Sequence, residues 1–274
     1  MSVIFDGRGF AARKKEDLRF MINDLRNKGV IPKLVSILIG NDEASSLYVN
    51  LKKKAAEEVG AEVEVVSLSS SISKEGLIKT IERYNNDDNI HGIMVQLPLP
   101  ERFSKADKEE ILNLIDPIKD VDGLRADSSF LHPTSKACIE IMDYALSIVR
   151  LEDLNRSLKI CIVGAGGMVG KPLAAKLMER NYDVVECNSK TIDLKSKTVN
   201  ADVVISATGV PELIGADMIK SGAIIIDVGS PVGDFSKDAY DRASFVSPVP
   251  GGVGPVTIIC LLENLYLATS NKQK

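Results

Sequence analysis

An α/β fold of two domains is what this sequence predicts, and three observations predict it. β-rich runs alternate with helical periods twice, once in each half of the chain. The intervening helices are too long for hairpins, so the strands must be joined by crossovers in mostly parallel sheets. The length of 274 residues suits two cores better than one.

Ala11 to Lys28 repeats Leu18, Met21, Ile22 and Leu25 at helical spacing and stops at Gly29, a C-terminal cap. Lys33 to Ile39 reads as a strand, Ser45 to Val59 as a helix, Glu62 to Leu68 as a strand, Ser73 to Tyr84 as a helix and Gly92 to Leu97 as a third strand. Asp116 to Pro133 mixes turn residues with few apolar ones, then Ala137 to Val149 resumes a helical stripe, and the domain linkage is placed there. A second series follows, with strand Leu158 to Val163, helix Met168 to Arg180, and strands Asp183 to Cys187, Val203 to Ala207 and Ala223 to Val228. A strand-like run precedes Pro248, and the final helix, Val256 to Leu267, is expected to return to the first domain. The expected boundaries are residues 1–134 completed by 251–274, and residues 135–250.

Hydrophobic residues at 45% and charged residues at 26% are ordinary globular values, and a net charge of −4 argues against nucleic acid as the main partner. No N-terminal apolar run follows a basic segment, and no apolar stretch of roughly 18 residues is read anywhere, so neither secretion nor a membrane partner is expected. Cys138, Cys161, Cys187 and Cys260 lie far apart without a C-x-x-C pair, which suits a reduced, cytoplasmic chain. With only His91 and His132 and no clustered cysteines, no metal is suggested.

Ile162-Val163-Gly164-Ala165-Gly166-Gly167-Met168-Val169-Gly170 joins an apolar strand to a helix. It is a G-x-G-x-x-x-G variant of the dinucleotide loop, in which a tight turn brings backbone N–H groups and the positive end of a helix to a pyrophosphate. The domain carrying it is therefore read as Rossmann-type. After the next strand, NAD-specific sites usually carry an acid for the ribose 2′-hydroxyl, whereas Cys187 is followed by Asn188, Ser189, Lys190 and Thr191. A hydroxyl and a cation suit a 2′-phosphate, so NADP is the first choice and NAD stays possible. The dense Pro/Gly segment from Pro248 to Thr257 cannot lie inside a helix or strand; it is either a stiff connector or the border of a ligand.

On the helix from Ser45, Tyr48 and Lys52 are about 40° apart and border the stripe of Leu51, Ala55 and Val59. A lysine at the edge of an apolar pocket loses hydration and can act as an acid or base near neutral pH; the alternative is a snorkelling side chain. Gln96 ends a strand in Val95-Gln96-Leu97-Pro98-Leu99-Pro100, where ligands bind in open α/β sheets. Asp120-Val121-Asp122-Gly123 supplies carboxylates in a turn, either as turn formers or as acceptors for a heterocycle's N–H groups.

These segments, Tyr48-x-x-x-Lys52, Val95 to Pro100, Lys119 to Gly123, Gly164 to Pro172 and Pro248 to Thr257, stand in the order and spacing of a known family. The chain resembles the bifunctional methylenetetrahydrofolate dehydrogenase/methenyltetrahydrofolate cyclohydrolases over nearly its whole length. The resemblance implies a homodimer with a folate cleft between a catalytic domain and an NADP domain. It implies Lys52 as the cyclohydrolase acid/base, Gln96 tuning it, Tyr48 positioning the folate, Asp122 holding the pterin, and Pro250, Gly251 and Gly252 lining the substrate site. Gly164, Ala165, Gly166, Gly167, Met168, Val169, Ser189, Lys190, Thr191, Thr208 and Gly209 would bind the cofactor. The substrate would be 5,10-methylenetetrahydrofolate, oxidised to the methenyl form and hydrolysed to 10-formyltetrahydrofolate. An NAD-dependent or dehydrogenase-only member and a non-catalytic nucleotide-binding module are the alternatives.

Departures from the family pattern fall at chemically meaningful places. Gly164-Ala165-Gly166 replaces a common Gly-Arg-Ser and removes a cation from the 2′-phosphate site, and Asn188 stands where a His is common. The Pro-Cys-Thr-Pro segment reads His132-Pro133-Thr134-Ser135, and the connection to it from Gly123 is shorter.

Overall fold

The computed structural model describes residues 2–40, 42–149 and 157–272. Along the chain run strand β1 (Val3–Ile4), helix α1 (Gly7–Asn27), β2 (Lys33–Ile39), α2 (Glu43–Val59), β3 (Glu62–Leu68), α3 (Lys74–Asn85), β4 (Gly92–Val95), α4 (Lys105–Asn113) and α5 (Pro133–Ile148). They are followed by β5 (Lys159–Val163), α6 (Gly170–Glu179), β6 (Asp183–Cys187), α7 (Leu194–Thr198), β7 (Val203–Ser206), β8 (Ile224–Asp227), α8 (Lys237–Arg242), β9 (Phe245–Ser247) and α9 (Val253–Asn271). The chain divides into two compact units: Ala12–Pro133 with Ile258–Lys274, and Met1–Ala11 with Thr134–Thr257.

In the first unit β2, β3 and β4 form a parallel sheet in the order β3-β2-β4. The chain steps from β2 to one side, then returns to the other, so the strand order reverses between the C-terminal ends of β2 and β4. Such a reversal leaves a crevice at the strand ends. Val35, Ile37 and Ile39 of β2 and Ile93 and Val95 of β4 pack one face onto Leu77, Ile81 and Tyr84 of α3. On the opposite face, a Cβ added at Gly92 would press on Val121 and Leu265, so α9 approaches the sheet there.

The second unit holds a six-stranded sheet, ordered β1-β9-β8-β7-β5-β6, with every pairing parallel. Here the reversal falls between β5 and β7. Cys161, Val163, Val204, Ile225 and Val246 build one core face with Ile214, Ile219, Phe235 and Ala239. Phe5, Phe10, Tyr144 and Phe245 form an aromatic cluster with ring centroids 5.4–6.4 Å apart.

Several boundaries differ from those expected. Residues 1–11, expected in the first domain, belong to the second unit: β1 pairs with β9 through Val3↔Phe245 and Ile4↔Val246 and completes the edge of the second sheet. A two-residue strand carries no periodicity by which to find it. Helix α2 starts at Glu43 rather than Ser45, because the Asp42 carboxylate caps it by accepting from Ser45 N at 2.7 Å. Helix α6 starts at Gly170 rather than Met168. Helix α4 is absent from the sequence reading, although Ser104 and Asp107 form a reciprocal capping box at its start; a nine-residue helix with one buried apolar side chain, Ile111, has almost no stripe. Helix α9 is long and apolar enough to cross a bilayer, contrary to the reading that no such stretch exists. It is apolar because it is a core helix, with Val256, Leu261, Leu262 and Leu265 buried together with the polar Asn264 and Thr269.

The segment from Asp116 to Pro133, where the domain linkage is expected to begin, belongs to the first unit, which parts from the second between Pro133 and Thr134. Lys119 and Asp120 are buried, and the Lys119 ammonium donates to the carbonyls of Tyr84 (3.0 Å), Asn85 (2.7 Å) and Asp87 (2.8 Å) at the C-terminal end of α3. A cation at this negative end satisfies carbonyls the helix leaves unpaired. Replacing Lys119 with Met should lower stability by about 2–4 kcal/mol, because three carbonyls lose a charged donor at once. Urea unfolding measures this, and an unshifted midpoint would remove the assigned role.

Candidate active site

Helix α2 and the end of β4 supply the centre of the first unit's site. Val49, Ala56 and Val59 are buried, and Lys52 falls on that same inward stripe at spacings of three and four residues. Its Nζ donates to Gln96 Oε1 at 3.1 Å and approaches Met94 Sδ at 3.7 Å. Gln96 is itself fixed, since its Nε2 donates to Leu97 O at 2.9 Å and its backbone N to Ile37 O at 2.8 Å, beyond the last residue of β4. Burial pulls the Lys52 pKa below the ordinary lysine value, and the Asp122 carboxylate partly offsets that pull. Tyr48, one turn before Lys52, is 45% exposed and leaves its ring available. Leu51, expected to face inward, is exposed instead, as is Leu47, so the two leucines flank Tyr48 as an open apolar surface.

The carboxylates of the Asp120 to Gly123 turn divide their work. Asp120 is fully buried and accepts from Arg125 N at 2.9 Å and Leu124 N at 3.4 Å; burial raises its pKa and these donors oppose the rise. It is a turn former. Asp122 is half-buried, and its charge reaches Lys52. Gly123 has φ +62° and lies so close to the backbone of Phe130 and His132 that a Cβ would sit 2.6 Å from His132 N. The buried Asn264 amide of α9 ties these strands of chain together by donating to Val121 O at 2.9 Å and Leu131 O at 3.0 Å. His132 thereby joins the neighbourhood: burial lowers its pKa, Asp122 and Asp120 resist this, and Lys52 adds to it. Asn264 is not among the residues singled out from sequence, although a lone amide inside an apolar helix is a signal for a buried polar tie.

The second unit carries the remaining predicted residues. The three spaced glycines of the loop have three different surroundings. Gly164 has φ +91° and a Cβ there would lie 2.5 Å from Ala207 O; at Gly170 a Cβ would overlap Gly164 O; at Gly166 no atom lies within 4 Å of a Cβ. These match a tight turn, a close helix-to-strand contact, and an open backbone approached from outside. Gly164 N and Ala165 N both donate to Cys187 O at 2.9 Å, which holds the loop against β6. Ala165 is buried, while Gly166, Gly167 and Met168 are exposed, with Val169 partly so just ahead of α6.

After β6, Asn188 N donates to Thr191 Oγ1 at 2.8 Å and Lys190 N to Asn188 Oδ1 at 2.9 Å. Asn188 and Thr191 therefore brace the turn, which leaves the Ser189 and Lys190 side chains exposed at its tip. Thr208 and Gly209 follow β7, on the other side of the strand reversal from Gly164, and Gly209 has φ +69°. In the Pro/Gly segment, Gly251 has φ +100°, Gly252 N donates to Pro248 O at 2.9 Å, and a Cβ at Gly252 would overlap Ser247 Oγ. Pro250 at its crest is exposed. Tyr48, Lys52, Gln96 and Asp122 thus lie in the first unit, and the loop residues 164–169, 189–191, 208–209 and 250–252 in the second.

Both parts of the chain have counterparts among known proteins. Residues 5–122 match the family model for the tetrahydrofolate dehydrogenase/cyclohydrolase catalytic domain, and residues 133–273 match that for its NAD(P)-binding domain. The chain is 42% identical to the bifunctional protein FolD of Mesoplasma florum, an alignment that covers 99% of this chain and 100% of that one. Among solved structures, the bifunctional enzyme FolD of Campylobacter jejuni superposes with a TM-score of 0.90 at 35% identity, covering 99% of this chain and 100% of that one. The methylenetetrahydrofolate dehydrogenase-cyclohydrolase of Trypanosoma brucei, solved with NADP cofactor and inhibitor, gives 0.89 at 31% identity over 100% and 99% of the two chains. With both family models matched and relatives of this identity along its full length, the chain belongs to the tetrahydrofolate dehydrogenase/cyclohydrolase (FolD) family.

Proposed function

We propose that this chain oxidises 5,10-methylenetetrahydrofolate and hydrolyses the methenyl product to 10-formyltetrahydrofolate, with Lys52 handling protons in the hydrolysis. The observation that carries this reading is the lysine amine partly withdrawn from water and held on Gln96 and Met94, at the strand reversal of the first unit's sheet. Family membership supplies the reaction class.

Each residue's work follows from its surroundings. Tyr48 offers an exposed ring one turn from Lys52, suited to stacking on the flat pterin. Asp122, not consumed by the turn as Asp120 is, accepts from pterin N–H groups. The methenyl carbon is electrophilic because it shares a positive charge with its nitrogens. Lys52 as the amine takes a proton from the attacking water, and as the ammonium returns it when the carbon–nitrogen bond opens. Gln96 Oε1 holds the amine in place through both stages.

The second unit suits a dinucleotide, since Gly164, Gly166 and Gly170 provide the turn, the open approach and the close packing that a pyrophosphate cradle needs. NADP bound there supplies the electron acceptor of the oxidation. Ser189 and Lys190, exposed at their turn, face outward for a 2′-phosphate, and buried Ala165 adds no charge to them. NADP is therefore preferred by a modest margin and NAD is accepted. Pro250, Gly251 and Gly252 border the folate. By resemblance to its family, the protein acts as a homodimer in the cytoplasm.

Lys52→Met should abolish cyclohydrolase activity, by at least about a hundredfold, while nucleotide binding persists; hydrolysis at the wild-type rate would mean another group manages the protons. The pH dependence has a definite sign. Because the Asp122 charge favours the ammonium, Asp122→Asn should depress the Lys52 pKa further and move the rising limb of the cyclohydrolase profile to lower pH. A limb that stays put or moves up would disconnect the two residues. In assays with each nucleotide, Lys190→Ala should raise the KM for NADP roughly tenfold and leave that for NAD nearly unchanged; equal changes in both would place the 2′-phosphate elsewhere.

A further inference from the structure

One buried hydrogen-bond chain in the second unit joins the C-terminal ends of β7, β8 and β9. Asp227 and Asp234 have no exposed surface. Asp234 Oδ2 accepts from Ser206 Oγ at 2.7 Å, from Thr208 N at 2.7 Å and from Thr208 Oγ1 at 2.8 Å. Asp234 N donates to Asp227 Oδ1 at 2.9 Å, an oxygen that also accepts from Gly229 N at 2.9 Å. Asp227 Oδ2 accepts from Phe235 N and from the Tyr240 hydroxyl, both at 3.2 Å. The Tyr240 oxygen in turn accepts from Val249 N at 3.4 Å, next to Pro250. The chain therefore runs from Thr208 through Asp234, Asp227 and Tyr240 to Val249.

Its surroundings leave little play. The turn between the two aspartates is wrapped so closely that a Cβ at Gly229 would lie 2.9 Å from Asp234 Oδ1, and one at Gly233 would overlap Asp227 Oδ2. Burial, helped by the Asp227 charge, pushes the Tyr240 phenol up to about 12, so the hydroxyl remains a donor at neutral pH. Buried carboxylates with several fixed donors hold their partners in a narrow range of positions, and loss of one partner is felt along the network. None of these three side chains belongs to the catalytic or cofactor residues assigned above; they act through the loops they hold.

We propose that Asp227, Asp234 and Tyr240 are positioning residues that fix the Thr208–Gly209 loop in register with the Val249–Gly252 loop, so that oxidation depends on them and hydrolysis does not. This rests on the reading of the first loop as nucleotide-binding and the second as folate-binding. Oxidation requires the two ligands in one alignment, whereas hydrolysis uses no nucleotide and takes its proton-handling groups, Lys52 and Gln96, from the first unit, so the kcat of the second activity serves as an internal control for folding.

The test measures both activities of the full chain in Asp234→Asn, Tyr240→Phe and Thr208→Ala. Asp234→Asn should raise the KM for NADP about tenfold, and Tyr240→Phe should lower the dehydrogenase kcat about tenfold with the nucleotide KM little changed. Cyclohydrolase kcat should stay within about twofold of wild type in both. Parallel loss of the two activities, or wild-type dehydrogenase kinetics in both network variants while Thr208→Ala raises the NADP KM, overturns the network. An unchanged NADP KM in Thr208→Ala removes the nucleotide reading of that loop, and the inference with it.

Discussion

Taking a lysine ammonium out of water is unfavourable by several kcal/mol unless charge and hydrogen bonds offset the loss, and the first unit is organised around that constraint. Lys52 reaches inward because Val49, Ala56 and Val59 bury the stripe it shares. The sheet end supplies the partners, a thioether from Met94 and an amide oxygen from Gln96, and Asp122 supplies the opposing charge. Burial is the larger effect and the carboxylate the smaller, so the net pKa shift is downward, toward the range in which an amine exchanges protons with water.

Holding those partners still requires a second layer of bonds. Lys119 anchors the turn that carries Asp122 to the end of α3, and Asn264 ties the same turn to the segment leading to His132. Both are buried polar side chains that donate to more than one carbonyl, the kind of group that enforces one backbone arrangement because its alternatives leave charges or carbonyls unpaired. The second unit has its own buried side-chain tie, from Asp234 through Asp227 to Tyr240, but what it offers a ligand is mainly backbone. Its loops present N–H groups, glycine at Gly164, Gly209 and Gly251 supplies positive φ angles, and the open approach at Gly166 is made by the absence of a side chain. A proton-transfer site needs a titratable group in a set environment, whereas an anion cradle needs donors without bulk.

The strands that define both sheets are legible in the sequence because short, β-branched apolar runs bounded by glycine and turn residues suit a strand far better than a helix; β2, β3 and β6 begin and end as read. So are Lys52 and Gln96, one by helical phase and the other by its place at a strand end. The orientation of Leu51 differs from its reading because the stripe on α2 is set by which residues meet the sheet, and a wheel drawn from sequence cannot fix that phase to better than one position. Helix α4 and strand β1 escape a sequence reading for lack of periodicity. The buried state of Lys119 and Asp120 escapes it for the opposite reason, since charged residues in a turn ordinarily face water.

The sequence by itself determined the local elements, the glycine loop and the family, because these rest on short-range periodicity, dihedral preference and motif spacing. Only the tertiary structure decided that Lys52 meets Gln96 from 44 residues away, that Asn264 reaches Val121 across 143 residues, and that the N-terminal strand completes the second sheet. Contacts between distant segments depend on how whole faces are buried together, and that information is carried by the packed chain rather than by any stretch of it.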